Sequence, residues 1–349
     1  MPPERPLRII HARAPLRIND IGGWTDTWFS GGGEVLNLAV NPPVEVQLGL
    51  FPNRDRSGER CRVHAENFNE TFDFDPDHPA PGRHGLLQFT LAAIPVPERW
   101  RLEVRIHSPV PAGISTGTSA SVAVALLAAL ALAAGRRPGA LRLAALAHRV
   151  ETARLGQQSG VQDQICAARG GVSYIRLTAY PRASVRNVRL RREVWDELDR
   201  RLILVYLGRP HRSSAIHEQV IARLGRRGSR CRPLEDLKGL AARALGELSR
   251  ADLEAYGRTM IRNNECQRSL FRKLISPEAD EVIRLARKWN ASGWKVNGAG
   301  GQGGSLTLLA GPDDGRRRRL EAEILSLGRG IRPLPASLCP SGVTAWRSA

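Results

Sequence analysis

The residues best suited to chemistry lie in three stretches. The first is Pro109 to Ser121, PVPAGISTGTSAS, in which small residues let backbone N–H groups converge while Thr118 and Ser119 offer hydroxyls. A long apolar helix is expected directly behind it, aiming its N-terminal N–H groups and positive dipole end at the loop. Such a combination cradles phosphate, although the GK[ST] ending of a Walker A loop is missing and an ordinary capped helix start has a similar composition. The second stretch is Gly293 to Gly304, GWKVNGAGGQGG, where six glycines between a helix and an apolar strand cost too much backbone entropy to be casual. It precedes a strand instead of following one, which excludes a dinucleotide fingerprint. The third group is acidic: Asp26 in IGGWTDTW, Asp163 in GQQSGVQDQ, and Glu151 on the helix before Asp163. One carboxylate can orient or deprotonate an alcohol, and another can face magnesium beside the Ser119 hydroxyl. Each carboxylate alone could be a solvated surface group, so the argument rests on their combination with the two loops.

Positioning these groups requires a particular order of elements. Val44 to Leu50, Arg60 to Val63, Thr71 to Phe74 and the alternating Leu102 to Ile106 predict strands ahead of the phosphate-type loop. Behind the loop, the Ala/Leu/Val run predicts a helix to about Ala134, followed by a second helix over Gly139 to Leu155. Asp163 then falls in a polar turn, and Gly170-Gly171 leads into a strand over Val172 to Leu177. Leu202 to Leu207 reads as a buried strand opening a second part. Helices follow over Leu234 to Leu248, Ala251 to Leu274 and Pro277 to Ala291, with Pro277 in a first turn where its missing N–H costs little. A strand over Ser305 to Leu309, a charged helix over Asp313 to Leu327 and an irregular tail complete the chain. The expected class is α+β, in two domains covering residues 1–195 and 196–349.

Composition narrows the function classes. The 349 residues carry 52 Lys and Arg against 34 Asp and Glu, a formal charge of +18, and only Lys238, Lys273, Lys288 and Lys295 are lysines. The excess is therefore arginine, which favours anionic ligands in general. It is dispersed apart from Arg316 to Arg319, and no zinc finger or aromatic–basic RNA motif accompanies it, so no specific nucleic-acid partner is implied. Five scattered cysteines without a CxxC pair argue against a structural zinc site and a disulfide scaffold. The polar, proline-rich opening does not read as a signal peptide, and Val122 to Ala134 is too short for a membrane span. A cytoplasmic protein with no membrane partner is the expectation.

Three segments together resemble the GHMP kinases, the superfamily of galactokinase, homoserine kinase, mevalonate kinase and phosphomevalonate kinase. They are APLRINDIGGWTDTW with GGGEVLNLAV, then PVPAGISTGTSASVAVALLAAL, then KVNGAGGQGGSLTLL, and they span Ala14 to about Leu309. Within that superfamily the opening GG.TD, the VQDQ turn and NNECQRSLFRKL look like the D-glycero-D-manno-heptose 7-phosphate kinases and fucokinase-type sugar kinases. Galactokinase carries GEHTDY where this chain has GGWTDT.

The resemblance implies an N-terminal domain like the second domain of ribosomal protein S5, a ferredoxin-like C-terminal domain, and an active site in the cleft between them. It implies ATP and Mg2+ as cofactors and transfer of a phosphoryl group to a sugar or sugar-phosphate hydroxyl, foremost the anomeric hydroxyl of the heptose 7-phosphate. A free-sugar kinase of the fucokinase type and a catalytically inactive sugar or nucleotide sensor are the alternatives. By the same resemblance Asp163 faces the attacking hydroxyl and Arg17 stabilises charge at the transferred group. Gly113, Gly117, Thr118, Ser119 and Ser121 line the ATP phosphates, Ser119 and Glu151 hold magnesium, and Asp26 binds sugar hydroxyls with Gly23 and Thr25 around it. Gly298, Gly300, Gly301, Gly303 and Gly304 shape the loop that closes on acceptor and phosphates. Arg212 and Ser213, with Ser214, are expected to grip an acceptor phosphate, arginine matching phosphate geometry well. A homodimer is compatible with this reading. Two departures stand out: Ser115 occupies a customary glycine position of the phosphate loop, and Gln302 another in the third segment.

Overall fold

The computed structural model describes residues 5–54, 59–66, 69–211, 213–224 and 230–348, without the side chains of 213 and 214. Apolar alternation near the N-terminus yields β1 (Arg8–Ile21), antiparallel to the long β2 (Gly33–Pro52). Strands β3 (Cys61–Ala65) and β4 (Glu70–Phe74), helix α1 (Gly85–Ala92) and strand β5 (Trp100–His107) follow. Helix α2 (Thr118–Ala133) is almost wholly apolar and buried on nearly all sides, as a helix at the centre of a domain must be. Then come α3 (Ala140–Arg149), a π-helical turn at Val150–Arg154, α4 (Gln162–Arg169), β6 (Val172–Ala179), β7 (Arg182–Val188) and α5 (Arg192–Arg201). Asp163 thus stands in the first turn of a helix, where a polar turn was expected. The DQICAA segment is too short to show helical periodicity on its own.

The second sheet begins at β8 (Leu202–Leu207), buried along its whole length. Its alternate residues enter different cores: Leu202, Leu204 and Tyr206 join the main cluster, while Ile203, Val205 and Leu207 join a second. Covering on both faces explains why LILVYL is uniformly apolar. Helices α6 (Ser213–Leu224), α7 (Arg232–Leu237), α8 (Leu240–Ser249), α9 (Leu253–Leu270) and α10 (Pro277–Lys288) precede β9 (Gly293–Val296) and β10 (Ser305–Leu309). The single helix expected over 234–248 is broken at Gly239, whose φ of +81° ends one helix and starts another. Helix α11 (Asp314–Ser326) leads to β11 (Ile331–Leu334), and the sheet order is β11-β8-β10-β9 with all neighbours antiparallel, the ferredoxin-like arrangement.

The expected irregular tail is instead two short strands, β12 (Ser337–Leu338) on β2 and β13 (Thr344–Arg347) on β1. The first sheet therefore contains strands from both ends of the chain. Pairing partners 337 residues distant leave no local pattern, which is why the tail read as irregular. Among the described residues no helix is long and apolar enough to cross a membrane.

Candidate active site

The loop before α2 is built to present N–H groups. Gly113, Ser115 and Gly117 all have left-handed backbone, at φ of +70°, +62° and +69°. Four successive carbonyls are engaged from outside the loop. Gly113 O accepts from the His211 N–H at 2.9 Å, Ile114 O from Ser305 Oγ at 2.6 Å, Ser115 O from Arg17 Nη1 at 3.1 Å and Thr116 O from the Arg17 N–H at 2.9 Å. With its carbonyls tied back, the loop forms an anion-binding nest at the head of α2. No side chain caps this helix, Gly117 being the N-cap, so the composition of the loop is not explained as a capped start. Ser121 lies inside the helix and donates from Oγ to Pro15 O at 2.7 Å, tying α2 to β1 away from the cavity.

A cavity of about 450 Å³ opens beside the loop, lined by Arg17, Asp26, Glu151, Asp163, Thr118 and Ser119 among others. Six residues from distant parts of the sequence thereby meet in one place. Arg17, buried on β1, donates from Nε at 2.9 Å and Nη2 at 2.6 Å to the same oxygen, Oδ1 of Asp163. Among the described residues nothing hydrogen-bonds Oδ2. Burial alone would lower the Arg17 guanidinium's pKa, but Asp163 and Asp20 more than reverse this and keep it charged. Asp26 is also buried and accepts from the Gln162 N–H at 3.1 Å. Burial pushes its carboxyl up to about 6, against the pull of that bond. Gly160 is required here, because a Cβ would collide with the Asp26 carboxylate.

Glu151 accepts from Ser159 Oγ at 2.8 Å and Gln164 Nε2 at 2.7 Å, both on Oε2, and burial lifts its carboxyl to about 7. No cluster of three His, Cys, Asp or Glu able to hold a metal occurs among the described residues. One carboxylate and one hydroxyl nevertheless fit magnesium, which takes few protein ligands when substrate phosphates supply the others.

The remaining expected residues stand elsewhere. Gly23 and Thr25 are part of the frame: Thr25 is fully buried and donates to Gly22 O at 2.7 Å. Gly300 and Gly301 pack against Leu274 and Ile216 and do not line the cavity, whereas Gly298 does. Arg212 lies outside the described residues, and of Ser213 only its place at the start of α6 is described.

Sequence reasoning missed the joint beneath the site. Asp20 Oδ1 accepts from Lys295 Nζ at 2.9 Å and Arg17 Nη1 at 3.3 Å, both buried, and from the half-buried Gly298 N–H at 2.9 Å. Burial would raise the Asp20 carboxyl, but Lys295, Arg17 and these bonds outweigh it and hold it below the usual range. Helix α9 completes the joint through the polar residues of NNECQ. Asn263 Oδ1 accepts from the Gly22 N–H at 2.7 Å, Asn264 Oδ1 from the Val296 N–H at 3.2 Å, and Gln267 Nε2 donates to Gly298 O at 3.2 Å. Polar residues recurring at helical spacing on a buried face were the available signal.

A second cavity, of about 280 Å³ and mostly apolar, lies on the other side of the loop, bounded by Leu86, Leu87, Ile106 and Val110. Both cavities share Ala112, Gly113, Thr118 and Ser119. The loop is thus the wall between a carboxylate-lined space and an apolar one.

Residues 88–171 match the model for the GHMP kinases N terminal domain. The D-glycero-alpha-D-manno-heptose 7-phosphate kinase of Campylobacter jejuni is 25% identical over 206 residues, covering 59% of this chain and 60% of that protein. A mevalonate kinase of Methanothermobacter thermautotrophicus is 30% identical over 207 residues, covering 59% of this chain and 63% of its own. The matches therefore span about three fifths of each relative's length. The crystal structure of a D-glycero-D-manno-heptose 1-phosphate kinase from Bacteriodes thetaiotaomicron superposes with a TM-score of 0.74 at 20% identity, covering 97% of this chain and 99% of that one. The fold is a two-domain α+β fold like that of the GHMP kinases. Residues 88–171 are thus similar to the N-terminal domain of the GHMP kinases, and the chain is similar over about three fifths of its length to two kinases of that kind.

Proposed function

We propose that this protein transfers the γ-phosphoryl group of ATP to a hydroxyl of a sugar or sugar phosphate, with the anomeric hydroxyl of D-glycero-D-manno-heptose 7-phosphate as the leading acceptor. The observation that carries the reading is the pairing of Arg17 with Asp163 at the foot of a loop in which four successive carbonyls are tied back. The N–H groups of the loop and the head of α2 hold the phosphates, and the apolar cavity beyond takes the nucleoside. Asp163, anchored through Oδ1, keeps Oδ2 for the acceptor hydroxyl, orienting it in line and receiving its proton. Arg17 lies where charge develops on the transferred group. Asp26 holds another hydroxyl of the acceptor. Magnesium would be held by Glu151 and Ser119 and would neutralise phosphate charge. The C. jejuni relative supports the heptose phosphate as acceptor.

A free sugar is the second reading. Among the described cavity residues Arg17 is the sole lysine or arginine, and carboxylates already engage it. A phosphate on the acceptor would then depend on the Arg209 to Ser214 segment. The test is ADP release with ATP and Mg2+ across heptose 7-phosphate, L-fucose, L-arabinose, D-galactose and mevalonate. We expect the highest kcat/KM for heptose 7-phosphate, with Arg212→Ala raising its KM. Preference for an unphosphorylated sugar, with no effect of that variant, would overturn the phosphate-binding role. ATP binding without turnover on any acceptor would overturn the kinase reading in favour of a sensor.

A further inference from the structure

Two polar groups beside Asp26 have no hydrogen-bond partner among the described residues. Trp24 is 3% exposed and lines the main cavity, yet its indole Nε1–H makes no hydrogen bond. Gln162 is 7% exposed and lines the same cavity, and its Oε1 accepts none. A buried donor or acceptor left unpaired is costly enough that native proteins seldom keep one without a use. The two flank Asp26, Trp24 through the chain and Gln162 through the hydrogen bond from its backbone N–H to Oδ2.

Trp24 is also held in an unusual backbone state. Its φ is +80°, in the left-handed region where glycine is at ease and a bulky side chain is not. Such strain persists only where the surroundings enforce it, and it gathers at ligand sites. The ring is fixed by an edge-on contact with His217, centroids 4.8 Å apart, and a tilted one with Phe29 at 6.2 Å. His217 is in turn anchored by its Nδ1 to Gln158 O at 2.8 Å. Packing alone would account for an apolar ring here, but not for an unpaired N–H beside an unpaired carbonyl and a carboxylate.

We propose that Trp24 and Gln162 form a donor–acceptor pair that, with Asp26, recognises a polyhydroxylated acceptor. Nε1–H donates to a hydroxyl or ring oxygen of the sugar, and Gln162 Oε1 accepts from a neighbouring hydroxyl. This deepens the kinase reading, on which it rests, by assigning specificity to residues other than the carboxylates. An acyclic hydroxy acid with one hydroxyl would satisfy only part of the set.

The experiment combines spectroscopy with kinetics. In 1H–15N spectra of the full chain, Trp24→Phe identifies the indole signal of Trp24, and heptose 7-phosphate, L-fucose, D-galactose and mevalonate are titrated without nucleotide. We expect at least one sugar to shift that signal and mevalonate to leave it in place. In the ADP assay, Trp24→Phe and Gln162→Met should each raise the KM for the preferred sugar about tenfold, with the KM for ATP unchanged. Neither change should lower thermal stability, since each removes an unpaired polar group. A Trp24 signal that no sugar moves, or variants that lose stability with an unaltered sugar KM, would overturn the proposal. A sugar-induced shift without ADP release would uphold the binding pair and sink the kinase reading instead.

Discussion

Single side chains here carry opposing demands of stability and chemistry. Asp163→Asn keeps the shape but weakens orientation and proton acceptance, so kcat should fall about 10³-fold, in a chain that still folds but melts lower because the buried Arg17 loses a charged partner. Glu151 gives a pH signature. Its folded pKa of about 7 exceeds the reference value of 4.5, so its contribution to stability is complete below about 4.5 and is lost as pH rises through 7. Glu151→Gln should therefore be more stable than the parent at pH 8, by up to about 3 kcal/mol, and the advantage should vanish at pH 4. Thermal melts across that range, without magnesium, would show it. Ser115 is the third case, with φ of +62° and a buried Oγ that lacks a partner among the described residues. Ser115→Gly should stabilise the fold by about 1 kcal/mol in urea titrations. Its retention is then a functional matter, because Ser115 lines the cavity.

Elements acquire their positions through buried polar joints that no one of them could satisfy alone. Asp20 on β1 links Lys295 on β9 to Arg17, so the two sheets meet through an ion pair that is almost fully buried. Lys295→Met would leave Asp20 undercompensated and should cost about 3 kcal/mol, part of it recovered in the Asp20→Asn/Lys295→Met double variant. The phosphate loop and the third glycine segment are coupled in a similar way. A Cβ at Gly304 would lie 2.7 Å from Ser115 Oγ. Gly304→Ala should accordingly be less damaging in a Ser115→Gly background, and a double-mutant cycle measures that coupling. The third segment was recognisable from its glycines, but the reason for them was not, since the atoms they avoid belong to other elements, from Leu274 for Gly300 to Ser115 for Gly304.

The whole molecule is closed by its C-terminus. Strands β12 and β13 return from the second sheet to β2 and β1, which puts both sheets under one chain constraint. Removing residues 337–349 should lower the melting temperature by about 5 to 10 °C and uncover an edge of β1. A truncated chain that melts like the parent would show that the returning strands contribute little. For the intact chain, β8 contributes to both apolar cores, so urea should unfold both domains in a single transition.

The chain by itself determined what depends on local composition. The apolar run of α2, the glycine-rich loops around it, the buried strand LILVYL and the separate positions of Asp26, Glu151 and Asp163 were legible, because helix dipoles, glycine conformations and carboxylate chemistry are properties of short segments; Arg17 was singled out only by the resemblance. Only the tertiary structure decided what depends on partners far apart in sequence. It gave Asp163 to Arg17, Asp20 to Lys295, the loop's carbonyls to donors from three regions, and the tail to the first sheet. It also separated Asp26, which lines the cavity, from Gly23 and Thr25, which hold the turn. Burial and hydrogen-bond pairing are sums over the surroundings of each group, and those surroundings exist only once the chain has folded.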